Sequence, residues 1–108
     1  TLVAAPGAGK ALIFHGAEVF LDYGGTAFVA GTNEDFQIQY DGGTACSELA
    51  LQANLIEAGA DVYYWMNPKQ SVIIANEELE AATITGNVAT GNGAMKIKCF
   101  YSVLTLQT

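Results

Sequence analysis

An all-β fold is what this sequence predicts: a two-sheet antiparallel β-sandwich, jelly-roll-like, with about eight strands. Three observations carry that expectation. Turn signals recur roughly every 8–12 residues, the spacing of a sandwich or barrel. The segments between them are rich in aromatic and aliphatic residues, and several alternate with a period of two. The chain of 108 residues has the length of one domain, so residues 1–108 are read as a single sandwich.

The first turn is Pro6-Gly7-Ala8-Gly9. It launches a strand over 11–21, which reaches Gly24-Gly25, a pair tolerant of the positive φ that a tight hairpin needs. Residues 26–30 are expected to form the return strand. Glu34 to Tyr40 alternates, with Phe36, Ile38 and Tyr40 on one face and Gln37 and Gln39 on the other. Residues 45–55 have leucines at helical spacing, but Ala45, Leu49, Leu51, Ala53 and Leu55 all lie at odd positions. The segment is read as a strand, followed by one helical turn near 57–61. Strands are expected over 62–66, 72–75, 82–85 and 94–104. In the last, Met95, Ile97, Cys99, Tyr101 and Val103 share a face, while Lys96, Lys98 and Ser102 lie opposite with Phe100 and Leu104. A face that mixes lysines with large hydrophobes reads as an interface.

Composition excludes several functions. Hydrophobic residues make up 51% and charged residues 14%, the reverse of a disordered chain. So few charges on a small domain imply a surface that is partly covered by neighbours. The net charge is −7, from 11 acidic residues against 4 lysines and no arginine. Nucleic-acid binding draws on Lys and Arg, so no nucleic acid is expected as a partner. Anionic membranes are disfavoured for the same reason, and no apolar run approaches a membrane-spanning helix. No basic-then-apolar leader is visible, and Thr1 is a residue that removal of an initiator Met would leave.

The candidate chemical motifs fail one by one. Pro6-Gly7-Ala8-Gly9-Lys10 resembles a phosphate loop, but Ala4 stands where the Walker pattern needs Gly, and Ala11 where it needs Ser or Thr. His15 is the only histidine. It joins the face of Ile13, Ala17 and Val19 if the strand has no bulge, and no nucleophile elbow accompanies it. Glu77, Glu78 and Glu80 match no calcium loop and are read as a solvated turn. Cys46 and Cys99 fit no metal spacing and are read as small apolar residues. No catalytic residue, cofactor or metal is expected, and the chain is read as no enzyme. Tyr63, Tyr64 and Trp65 form the densest aromatic patch. In a strand Tyr63 and Trp65 point one way and Tyr64 the other, so at least one ring leaves the core. Tyr63, Tyr64, Trp65, Phe100 and Leu104 are therefore the interface candidates.

Several stretches together resemble a known family. They are 2–11 (LVAAPGAGKA), 21–27 (LDYGGTA), 72–76 (VIIAN) and 96–103 (KIKCFYSV). These resemble small structural proteins of tailed bacteriophages, the jelly-roll capsid decoration, or cement, proteins. The resemblance implies a homotrimer that binds the major capsid protein on the outer surface of the virion. It also implies assembly in the host cytoplasm and stabilisation of the shell by bridging capsomers. The rival readings are a tail or fibre component and a carbohydrate-binding module that uses Tyr63 and Trp65 as platforms.

Overall fold

The computed structural model describes residues 1–28, 35–83 and 93–107. Among them are five strands and no α-helix: β1 (Lys10–Asp22), β2 (Phe36–Tyr40), β3 (Val62–Met66), β4 (Leu79–Thr83) and β5 (Ala94–Thr105). They form two antiparallel sheets, ordered β3-β1-β5 and β2-β4. The expected all-β, two-sheet architecture is present. Among the described residues the strands number five rather than about eight: residues 45–55 form separate bridges and a turn, 72–75 one bridge, and 26–28 no ladder.

β1 is the spine of the larger sheet. It pairs with β5 along its whole length, from Lys10↔Thr105 to Asp22↔Ala94, and with β3 over Ala17–Leu21. The β1–β5 register slips between Phe14 and Gly16. His15 is the extra residue of this β-bulge, which reverses the phase of the strand. Leu12 and Phe14 are buried before it, and Ala17, Val19 and Leu21 after it. His15 is therefore exposed, which corrects its placement with Ala17 and Val19.

The second sheet packs its Phe36, Ile38, Tyr40 and Leu79 against these β1 side chains, with Cys46, Ala50, Leu55, Ile56 and Met66 filling the remaining core. Burying a large aliphatic or aromatic side chain stabilises by about 1.5–3 kcal/mol, so this cluster holds the sheets together. A buried polar node pins them as well. Tyr40 Oη donates to the Leu12 carbonyl at 2.6 Å. Gln70 Oε1 accepts from the Phe14 amide at 3.1 Å, and its Nε2 donates to the Leu12 carbonyl at 3.4 Å and to Tyr40 Oη. Beyond the end of β3, the Gln70 amide thus takes the place that a neighbouring strand would fill beside β1.

The segment 45–55 is not a regular strand. It does run antiparallel to β2, with bridges Gln39↔Ala45 and Phe36↔Ala50, but the ladder breaks at Ser47. The Ser47 hydroxyl accepts from the Ile38 amide at 2.9 Å, while the Ile38 carbonyl takes both Cys46 N and Ser47 N. A short polar side chain here competes with the backbone for its own partners. Leu49 and Leu51 end up exposed, against the odd-position pattern. The helical turn lies at Gln52–Asn54, earlier than the expected 57–61.

The other differences are local. Residues 26–28 form no return strand after Gly24-Gly25, and the rest of that expected element lies outside the described residues. In place of a hairpin partner, β1 takes β3 and β5. Residues 72–75 make one bridge, Ala11↔Ala75. β4 begins at Leu79, ahead of the expected 82, and residues 84 and 85 lie outside the described set.

Candidate functional site

With the core face of the larger sheet fixed, register dictates what stands on its outer face. Residues directly opposite in an antiparallel pair share a face. Tyr63, Phe20 and Lys96 form one cross-strand row, and Trp65, Glu18 and Lys98 the next. Phe100 lies opposite Gly16. Three short strand segments thus converge four aromatic rings and two of the chain's four lysines on one surface.

The rings form two contacts. Phe20 and Tyr63 stack with centroids 4.7 Å apart and planes 23° from parallel. Trp65 and Phe100 lie 5.9 Å apart at 40°. Trp65 reaches Phe100 by lying across Gly16, where a Cβ would stand 2.3 Å from Trp65 Cζ2. Gly16 also has φ +142°, a conformation that side chains rarely adopt. Glycine at this position therefore permits both the bulge and the indole above it.

The rings are not hidden by this packing. Tyr63 is 75% exposed, Trp65 50% and Phe100 45%. Glu18, Phe20, Tyr63, Lys96, Ile97 and Lys98 line a shallow depression of about 230 Å³. A larger one of about 360 Å³, between Ile13, Phe14, Pro68, Gln70, Ser71 and Ile73, holds no ionisable group. Of the five interface candidates, Tyr63, Trp65 and Phe100 come together here. Leu104 is exposed farther along β5. Tyr64 points the opposite way and packs against the core. Phe20, Glu18 and Gly16 were absent from the expected set. A glycine inside an apolar strand is the signal that marks such a bulge, and with it the phase of Glu18 and Phe20 follows.

The remaining chemistry-bearing groups lie elsewhere. His15 Nε2 is 2.8 Å from Ser102 Oγ, an exposed pair. Among the described residues, no carboxylate bonds to the other ring nitrogen to complete a triad. Glu78 and Glu80 come together with Asp41, their ligand atoms within 4.8 Å of one another. Glu77 stands outside that group. Thr1 Oγ1 donates to Glu78 and Gln39 Nε2 donates to Glu80, so two of these carboxylates already have protein partners. Cys46 and Cys99 are both free. Burial pushes the Cys46 thiol up to about 11 and raises that of Cys99, which keeps both protonated and unreactive near neutral pH.

No family model, curated protein or solved structure matches this chain.

Proposed function

We propose that the protein is a virion structural protein, a capsid decoration protein, and that the aromatic outer face of the β3-β1-β5 sheet is its docking surface. One observation carries the reading: a contiguous exposed patch of Tyr63, Phe20, Trp65 and Phe100, flanked by Lys96 and Lys98. Patches of this kind mark contact sites, and aromatic side chains are the residues that interfaces favour. The lysines bring local positive charge to an otherwise acidic chain, which favours an acidic partner surface and fixes register on it. The resemblance to decoration proteins supplies the partner, the major capsid protein. It also supplies the place, outside the shell and away from packaged phosphate.

The strands support a jelly-roll-like reading of the fold. β1, β3 and β5 lie in one sheet and β2 and β4 in the other, so each step from one described strand to the next crosses between sheets. The mechanism needs no enzyme and no cofactor. Each copy bridges capsomers through a modest contact, and many copies on one shell multiply it. Because the protein binds the intact shell in preference to its fragments, it shifts the equilibrium toward the shell.

The test is the temperature of DNA release from particles with and without the protein. Higher release temperatures with the protein, lost on Trp65→Ala or Phe100→Asp, are expected. Equal temperatures at full occupancy would remove the decoration reading. Imaging that finds the protein on the tail would favour the tail or fibre alternative. The exposed rings of Tyr63 and Trp65 also favour a second reading, a carbohydrate-binding module in which sugars stack on those rings. Oligosaccharide binding that disappears in Trp65→Ala would carry it.

A further inference from the structure

The C-terminal half of β5 departs from how a sandwich strand behaves. Such a strand turns one face to the core. From Phe100 to Thr105 every residue is exposed, on both faces. Phe100, Tyr101, Val103 and Leu104 are each between 41% and 52% exposed. β5 is also the edge of its sheet. It pairs with β1, and among the described residues no strand pairs with its other side. From Cys99 to Thr108 the sequence contains no charge and no proline. Those are the devices by which proteins blunt an open edge.

We infer that this edge is covered by β5 of a second copy, in an antiparallel pair about a two-fold axis through Ser102. The segment is complementary to itself in that register. Phe100 meets Leu104 of the other copy, Tyr101 meets Val103, and Ser102 meets Ser102. Lys98 falls opposite Leu106, so no like charges oppose. Each pair joins side chains on the same face, and aromatic–aliphatic pairs of this kind are favourable. Shifting the axis to Ile97 would bring Lys96 against Lys98.

Area agrees with a specific but weak contact. The four apolar side chains, about half exposed, offer roughly 350 Å² per copy. Backbone and flanking residues add to this, which keeps the pair at the low end of specific interfaces, below about 1,200 Å² in total. The axis stands perpendicular to the sheet, so the two aromatic faces point to the same side. A dimer built this way offers both docking faces to one surface.

Sedimentation of the full chain in solution, before it meets any particle, is the test. A concentration-dependent dimer is expected for the wild type. Ser102→Lys sets two lysines opposite each other on the axis and is expected to be monomeric, with unchanged circular dichroism. Ser102→Cys gives a readout independent of that variant. Directly opposed Cβ atoms lie about 4.5–5.5 Å apart, near disulfide range. With oxidised glutathione, the two introduced thiols lose two protons and two electrons to form one S–S bond, and the glutathione leaves as two thiols. Cross-linking about tenfold faster than for exposed Ala60→Cys is expected from the raised effective concentration. A wild type that stays monomeric or forms a trimer overturns the inference, and so do equal cross-linking rates. Ser102→Lys leaves the rings of the docking face in place, so this test and the DNA-release test fail independently.

Discussion

Replacing Gly16 with alanine tests the packing of the aromatic face. The new Cβ would stand 2.3 Å from Trp65 Cζ2 and 2.9 Å from Cη2, well inside van der Waals contact. The indole is half exposed, so it can swing outward and leave the backbone in place. Two costs then follow. A non-glycine residue held at φ +142° costs about 1–3 kcal/mol. Loss of the Trp65–Phe100 contact costs about 0.5–1.5 kcal/mol more. Together they give about 1.5–4.5 kcal/mol, or about 6–18 °C in the melting midpoint for a chain of this size. Thermal unfolding followed by circular dichroism measures the stability. Emission of the single tryptophan reports the ring directly and should shift to the red. In the background of Trp65→Ala the steric part has no target, so Gly16→Ala should cost about 1 kcal/mol less there, a coupling that a double-mutant cycle reads. A midpoint within about 2 °C of wild type, with unshifted emission, would refute the account of Gly16 as the seat of the indole.

Other perturbations probe the core that positions this face. Tyr40→Phe removes the bond to the Leu12 carbonyl and the acceptor for Gln70, and should cost about 1–3 kcal/mol in denaturant unfolding. Ser47→Ala leaves the buried Ile38 amide without its acceptor; a similar loss of about 1–3 kcal/mol should come with faster hydrogen exchange at Ile38. The Cys46 thiol is raised from 9.0 to about 11 by burial. The unfolded chain then loses this proton first, so its contribution to stability is complete below about pH 9 and declines from there to about pH 11. Comparison of Cys46→Ala with wild type across that window should show a shallower decline in the variant.

How much of this was readable beforehand depended on whether a feature is local. β3 coincides with the expected 62–66, because a run of aromatic and β-branched residues bounded by turns has one reading. β1 and β5 were readable for the same reason, and the alternation in 36–40 identified the buried face of β2. What failed depended on single hydrogen bonds or on register. Alternation over 45–55 could not reveal that the Ser47 hydroxyl would capture the Ile38 amide. Tyr63 and Trp65 could be assigned to one side of a strand. That their neighbours would be Phe20 and Phe100 required the pairing of three strands far apart in sequence. The aromatic run marks Tyr64 as an interface candidate, and the same alternation that exposes its neighbours turns it inward.

The bulge at His15 has a consequence for how this chain can vary. Substituting His15 alters one exposed side chain. Deleting it would let β1 alternate without a break, because Phe14 and Gly16 already pair with adjacent residues of β5: Leu12 and Phe14 would stay in the core and Gly16 would stay beneath the indole. A residue lost within 17–21 has no such outlet, because a one-residue slip turns the core-facing side chains on one side of it to solvent. Related chains should therefore tolerate a gap at position 15 and resist one in the stretch that follows.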